Sequence, residues 1–178
     1  MILFTILLFL SVPVLGGESM VPPPPDKNKT PPANDGGADG CDSSRFKCVS
    51  GGEAVLDNLT GLTWARNTDI ANGAIPWQEA MNLCKNLEIG NRKGWRLPTK
   101  EEFITILDTS QSNPALPEGH PFKNLQRATT THGWNECWTE TTSEDNTDKA
   151  YYIKLNGGMV LDELKVFDFF VWPVLGGN

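Results

Sequence analysis

The sequence has few of the residues on which most catalytic and metal sites depend. Its 178 residues include only two histidines, His120 and His132, and neither belongs to a recognisable catalytic motif. No C-x-x-C pair occurs among its cysteines, which disfavours a zinc site. Paired carboxylates and nucleophile motifs with supporting context are also absent. We therefore expect a protein that is not an enzyme.

Positive charge is scarce as well. The chain has 15 Lys and Arg against 22 Asp and Glu, a net charge of −7, which disfavours a nucleic-acid partner. Five of the cations nevertheless cluster along the chain. They are Lys85, Arg92, Lys93, Arg96 and Lys100. Such a cluster is either an anion-binding patch or, more often, the solvated face of a helix and a loop.

Long hydrophobic runs are missing too. The most apolar segment, residues 1–16, is shorter than the roughly 20 residues that a membrane-spanning helix needs. It carries no charge and ends at small residues, which is typical of a secretory signal peptide. We predict a signal peptide at 1–17, a Pro- and Gly-rich linker at 18–40 and one domain at 41–178. The mature protein would then be periplasmic, surface-bound or secreted, with no transmembrane span.

Four cysteines, Cys41, Cys48, Cys84 and Cys137, all lie in the predicted domain. An even number of cysteines behind an export signal predicts two disulfides, for which three pairings are possible. The short separation of Cys41 and Cys48 favours a local bridge. That choice leaves Cys84 to pair with Cys137 and to tie two distant elements together.

Strand and turn patterns predict two hairpins and a closing strand. Residues 54–57 and 62–65 flank an Asn-Leu-Thr-Gly turn, and residues 150–155 and 159–162 flank Asn-Gly-Gly. The apolar segment 169–174 predicts one strand that closes the domain.

Two helices are predicted between these hairpins. One begins at Pro76 and places Cys84 on its apolar face. The other begins at a capping box formed by Thr99 and Glu102. Residues 108–127 then indicate a long surface loop. Two helices followed by antiparallel strands indicate an α+β fold.

Three motifs occur in an informative order: VLDNLTGLTW at 55–64, GWRLPTKEE at 94–102 and CWTETT at 137–142. Together they resemble the DUF1566 family, also called the C-terminal domain of the Legionella collagen-like protein, over roughly residues 46–175. The resemblance implies a C-type-lectin-like fold in a bacterial surface or secreted module. The named Legionella member is an adhesin for sulfated glycosaminoglycans.

The chain also departs from its relatives. No collagen-like Gly-x-y repeat precedes the domain, and Trp172-Pro173-Val174 stands where the family usually has Cys-Val-Arg. The GWRLPT stretch is similar to the formylglycine-generating enzymes as well, but their late pair of reactive cysteines is missing here. The resemblance therefore implies fold more firmly than function.

Two oxygen-rich segments are candidate ligand sites. The first is Trp134-Asn135-Glu136, which resembles the Trp-Asn-Asp element of calcium-dependent lectins; we expect no cofactor, and calcium at this segment is the one alternative. The accompanying Glu-Pro-Asn element is absent. The second segment contributes the candidates Glu144, Asp145 and Asp148, although such residues also build ordinary turns. Trp134 is the tryptophan that we expect to be most exposed.

Two functions remain in view at this stage. The first is a non-catalytic binding module that uses residues 108–135 and the loop around Asp145 to hold a glycan or a protein. The second is a structural or accessory component of an extracytoplasmic assembly. The sequence leaves the oligomeric state open.

Overall fold

The computed structural model describes residues 41, 43–125 and 136–176, all within one compact unit that spans 32–178. The predicted signal peptide and linker lie outside the described residues. In the part that is described, no helix has the length and apolar character needed to cross a bilayer.

The described residues form three antiparallel sheets and two α-helices, in keeping with the predicted α+β class. The elements in chain order are β1 Phe46–Val49, β2 Ala54–Asp57, β3 Thr63–Ala65, β4 Ile75–Pro76, α1 Trp77–Asn86, α2 Lys100–Ile106, β5 Glu136–Thr142, β6 Lys149–Lys154, β7 Met159–Leu164, β8 Asp168–Phe169 and β9 Val174–Leu175. A 3-10 helix, Ser50–Gly52, joins β1 to β2. The strand orders are β1-β2-β3-β9, β4-β8 and β5-β6-β7.

The larger core is built around aromatic rings. The Trp172 ring lies 5.0 Å from that of Trp64, 5.4 Å from Phe103 and 4.8 Å from Phe122, measured between centroids. Its indole N–H donates to the Ala65 carbonyl at 2.8 Å. These rings join β3, α2 and the C-terminal segment in one cluster, where edge-to-face aromatic contacts add to the free energy gained by burial.

Both predicted hairpins are confirmed. In the first, the fully buried Asp57 carboxylate accepts a hydrogen bond from the Leu59 N–H and forms a two-point ion pair with Arg45. Gly61 in the same turn adopts a φ of +75°. Glycine takes this left-handed conformation without the steric cost of a Cβ atom. The second hairpin pairs β6 with β7 in regular register over all six residues of each strand.

Both predicted helices are confirmed as well. Pro76 precedes α1, and the Thr99–Glu102 capping box at the start of α2 is complete in both directions. The capping box satisfies two N–H groups that a helix start would otherwise leave without partners. Residues 108–125, the described part of the predicted loop, contain neither helix nor strand.

The single closing strand predicted at 169–174 is wrong. The segment changes partners instead: Phe169 pairs with Ile75, Phe170 bonds to β5, and Val174 pairs with Trp64. Pro173 lies between the two short strands, and proline has no N–H to donate to a continuous ladder. The segment therefore joins three sheets rather than extending one of them.

Of the two predicted disulfides, the structure contains one. Cys41 and Cys48 are bridged, whereas the predicted Cys84–Cys137 bridge is wrong, because both residues are buried thiols. Side chains alternate between the two faces of a strand. On β5, Trp138 packs in the same cluster as Cys84, so its neighbour Cys137 points to the opposite face and into the other core.

Peptide mapping checks this correction. If the denatured but unreduced chain is treated with an alkylating reagent, we expect Cys84 and Cys137 to be modified and Cys41 and Cys48 to remain linked. In the native chain we expect Cys84 to resist alkylation, because burial and the nearby Glu140 carboxylate raise its pKa to about 12. A peptide pair joined through Cys84 and Cys137 would contradict the structure.

Gly90 offers a test of local packing. Its φ is +56°, and a Cβ atom there would lie 2.2 Å from the Ser50 Cβ. Gly119 has a similar φ of +70°, and a Cβ atom added to it would have no neighbour within 4 Å, so it is the matched control. We expect Gly119→Ala to cost about 1–2 kcal/mol of backbone strain, and Gly90→Ala to cost about 1–3 kcal/mol more from overpacking. Urea denaturation measures both, and equal losses would contradict the predicted clash.

Candidate functional site

The five cations of the predicted anion patch do not form one free basic surface. Arg96 makes a two-point ion pair with Glu102, at 2.7 Å for one of its two contacts, and it also donates to the Gly176 carbonyl at 2.8 Å. Its guanidinium lies 3.7 Å from the Glu140 carboxylate. Arg96 therefore supports the fold, because it joins the start of α2 to β5 and to the C-terminal segment.

The electrostatics of Glu102 reflect this pairing. Burial alone would raise its pKa, but hydrogen bonds from Arg96 and from the Thr99 N–H outweigh that effect and hold the pKa below its ordinary value. Arg96 is stabilised in its charged form by the same hydrogen bond. A fork-shaped guanidinium suits a carboxylate held at two points, which an ammonium cannot match.

Lys100 is also engaged within the domain. Its ammonium lies 3.3 Å from a Glu144 oxygen and 4.1 Å from the centroid of the Tyr151 ring. The Tyr151 hydroxyl donates to the other Glu144 oxygen at 3.0 Å. The hydroxyl and the ammonium together lower the pKa of Glu144. A candidate from the oxygen-rich loop is thus paired with a candidate from the anion patch.

The remaining patch residues are exposed. Lys85 lies in the last turn of α1, while Arg92 and Lys93 follow it in the turn toward Trp95. Lys93 lies 3.4 Å from the Glu88 carboxylate. Exposed pairs of this kind contribute little to stability, so these three cations are the part of the patch that solvent and ligands can reach.

The calcium candidates are divided between described and undescribed parts of the chain. Trp134 and Asn135 lie outside the described residues. Glu136 is buried and accepts from the Lys154 ammonium at 2.8 Å, across the β5–β6 pair. Among the residues that the structure describes, no three His, Cys, Asp or Glu side chains are grouped to hold a metal ion.

Asp145 and Asp148, two of the ligand candidates predicted from the sequence, lie in a surface that also contains a second turn, which the sequence analysis did not predict. The turn between β5 and β6, residues 143–148, lies beside the turn between β7 and β8, residues 165–167 with the flanking Leu164 and Asp168. Together we call them the two-turn surface. Lys165 joins them: its N–H donates to the Asp148 carbonyl at 2.9 Å, and its ammonium donates to the Thr147 carbonyl at 2.8 Å. Both turns are thereby held in fixed relative positions.

The same ammonium has two further contacts. It donates to the Thr142 hydroxyl at 2.9 Å and lies 4.2 Å from the centroid of the Trp77 ring. The Trp77 indole N–H is itself bonded to the Thr139 carbonyl at 2.8 Å. Because the ammonium is directed inward, the outer side of the two-turn surface carries the exposed acidic residues 144, 145, 148 and 168.

Apolar side chains accompany these acids. Val166 is 76 % exposed and Phe167 45 % exposed, at the tip of a turn closed by the Phe167 N–H to the Leu164 carbonyl. Turn tips are normally built from Gly, Asn, Asp, Ser or Pro. Two large apolar residues, Val166 and Phe167, between the predicted strands at 159–162 and 169–174 are the sequence signal for an exposed apolar turn. Apolar residues so close to strands also suit a strand, so the pattern alone does not identify the turn.

Burial shifts the pKa values of His120 and of the Cys84 thiol away from physiological pH. His120 is buried, and burial lowers its pKa to about 4, so its imidazole is neutral at physiological pH. His132 lies outside the described residues. Cys84, with its pKa raised to about 12, remains protonated under the same conditions.

The comparison with protein families confirms the resemblance that the three motifs suggested. The family model for the Lcl C-terminal domain matches residues 53–175. No curated protein matches the chain significantly.

Exchanging Arg96 for lysine tests its structural role. Arg96→Lys retains the charge but loses the two-point contact with Glu102, so we expect a loss of about 2 kcal/mol in the free energy of unfolding. The exposed Arg92→Lys is the matched control and is expected to change little. The lowered pKa of Glu102 means that its contribution is present above its ordinary value of 4.5 and disappears as the pH falls through the lowered value.

We therefore expect the acid side of the stability profile to be shallower in Arg96→Lys than in the parent chain. Urea denaturation between pH 3 and pH 7 measures this, with those limits set to bracket the carboxylate range. Equal losses at every pH would show that Arg96 acts through packing rather than through its ion pair.

Proposed function

Because the chain belongs to the Lcl C-terminal domain family, we propose that it is an exported, non-catalytic binding module whose ligand is a protein. A sulfated glycan is the second candidate. The observation that carries the proposal is the two-turn surface, in which exposed carboxylates and apolar side chains are held in place from beneath by one lysine. A preorganised surface of mixed character loses little conformational entropy when it binds.

Export is supported by two independent features. The uncharged apolar segment at 1–16 has the character of a signal peptide, and Cys41 and Cys48 are bridged. Disulfides persist in oxidising compartments outside the cytoplasm. We propose a periplasmic, cell-surface or secreted location on these grounds.

A C-type-lectin-like fold is part of this proposal. The sheet β1-β2-β3-β9 contains the first three strands and the last strand of the described residues, and both helices lie between β3 and β9 in the sequence. The three-stranded sheet β5-β6-β7 follows the helices. These features support a domain in which loops, rather than the paired ends, are available for ligands.

A protein is preferred over a glycan as the ligand because the aromatic rings and two of the basic side chains that could bind a sugar already have partners within the domain. The half-buried rings of Trp77 and Tyr151 could stack on sugars, but each has a lysine ammonium about 4 Å from its centroid, at 4.2 Å and 4.1 Å respectively. Of the cations in the predicted patch, Arg96 and Lys100 are in ion pairs within the domain. A polyanion would have to compete with those internal carboxylates.

A structural role in an extracytoplasmic assembly remains the alternative function. The same surface would then pack permanently against a subunit of that assembly. An obligate partner would bury a larger and more apolar area than a transient ligand, so stable co-purification through several columns would favour this alternative.

Two sets of charge variants separate the candidates. We expect the full chain to bind no glycan on an array that includes sulfated glycosaminoglycans, whether calcium or a chelator is present. A protein ligand should lose affinity about tenfold or more with Asp145→Asn combined with Asp148→Asn. Lys85→Gln combined with Lys93→Gln is the matched control and should leave that affinity unchanged.

The opposite pattern would overturn the protein proposal. Array hits that are lost in the lysine variants would assign the ligand to the exposed part of the anion patch. Hits that require calcium would instead indicate the segment that ends at Glu136.

A further inference from the structure

Exposed apolar side chains are concentrated in one segment of the described chain. Seven large hydrophobic residues are exposed among the described residues, and five of them lie between positions 159 and 167. The five are Met159, Leu161, Leu164, Val166 and Phe167. Single exposed apolar residues are normal on soluble proteins, whereas a concentration of this kind marks an interaction surface.

The concentration coincides with the edge of a sheet. β7 is the last strand in the order β5-β6-β7, and among the described residues it pairs with β6 alone. An edge strand offers its outer backbone N–H and C=O groups to another strand. The regular register of β6 with β7 leaves this edge straight, since the irregularity of the sheet lies in β5.

Two of the usual protections of an edge are missing from β7, which contains no proline and no lysine. Asp162 is turned onto the domain, where it accepts from the Ser143 hydroxyl at 2.8 Å. Glu163 accepts the outward-facing N–H of Leu164 at 2.9 Å, so the open part of the edge is residues 159–162. Lys165, which follows β7, directs its ammonium inward to Thr147, and Lys149 of the neighbouring β6 lies 3.7 Å from the Asp162 carboxylate. Natural edge strands are blunted by charged side chains, proline or bulges.

We propose that β7 and the turn after it receive an extended basic segment of a partner protein, which adds to the sheet as a fourth strand. This inference rests on the proposed protein-binding function and names the mode and chemistry of the ligand. Strand addition provides affinity through main-chain hydrogen bonds and specificity through alternate side chains. Met159 and Leu161 share one face of β7 and would contact apolar side chains of the added strand.

Charge defines the partner. Asp145, Asp148 and Asp168 are exposed beside this edge, whereas Asp162 lies 3.7 Å from the Lys149 ammonium and Glu163 bonds to the Leu164 N–H. A second copy of the chain bound at this edge would bring two acidic surfaces together, which is unfavourable. Basic side chains of a different protein are complementary to them, and such complementarity also speeds association.

A designed peptide pair tests the inference with the full chain. The probe is a labelled peptide of alternating Val and Lys, and its matched partner carries Glu in place of every Lys. We expect saturable binding of the Val-Lys peptide, protection of β7 amides from hydrogen exchange, and little binding of the Val-Glu peptide.

Variants place the contact on β7. Leu161→Lys adds the charge that edges normally carry and is expected to weaken binding of the Val-Lys peptide about tenfold or more, equivalent to about 1.4 kcal/mol. Ile104→Lys makes the same exchange at a residue of α2 that is 46 % exposed, against 39 % for Leu161, and is expected to leave binding unchanged. Circular dichroism confirms that both variants are folded.

Three outcomes would overturn the inference: equal binding of the two peptides, equal loss in the two variants, or no peptide binding at all. Self-association of the parent chain that Leu161→Lys abolishes would assign the edge to a second copy instead. If a protein ligand depends on Asp145 and Asp148 while the peptide does not bind, the proposed function stands and the edge-strand inference fails. If neither ligand binds, both fail.

Discussion

The packing around Trp172 is the constraint on which the rest of the domain depends. Its ring is fully buried against side chains from β3, from α2 and from the loop that precedes residue 125, and its N–H is bonded to the chain at Ala65. Loss of a core tryptophan removes about 3–5 kcal/mol of stability. Since the neighbouring residues on either side of Trp172 pair with different sheets, this one ring also sets the positions of those sheets.

Local sequence signals were sufficient for the hairpins and helices. Asn-Gly-Gly between apolar runs, Gly61 after Asn-Leu-Thr, and the Thr99–Glu102 pair each determine a conformation within a few residues. The short strands were different. β4 and β8 are two residues each, and they exist because Ile75 and Phe169 meet across the fold. No local pattern encodes such a pairing, because it depends on tertiary contacts.

The direction in which each side chain points explains why the second disulfide and the basic patch could not be predicted correctly from the sequence. The short separation of Cys41 and Cys48 correctly indicated their bridge. The even cysteine count wrongly indicated a second bridge, because side-chain alternation on β5 separates Cys84 from Cys137, and that separation requires the strand itself to be known. Likewise, basic residues that lie near one another in the sequence differ in whether a ligand can reach them. Arg96 faces Glu102 and Glu140, whereas Lys85 faces solvent. The motif at 94–102, one of the three that resemble the family, thus encodes internal contacts through Arg96 and Glu102, and a ligand has to be sought on other surfaces.

The position of the partner-changing segment in the chain has a consequence for biosynthesis. Residues 168–175 bond to β3, β4 and β5 and to Arg96, so contacts of long sequence separation are made by the last described residues. A nascent polypeptide that still lacks them has no Trp172 to complete its aromatic core. Folding of the domain must then wait until this segment has been synthesised, because its contacts of long sequence separation complete the core.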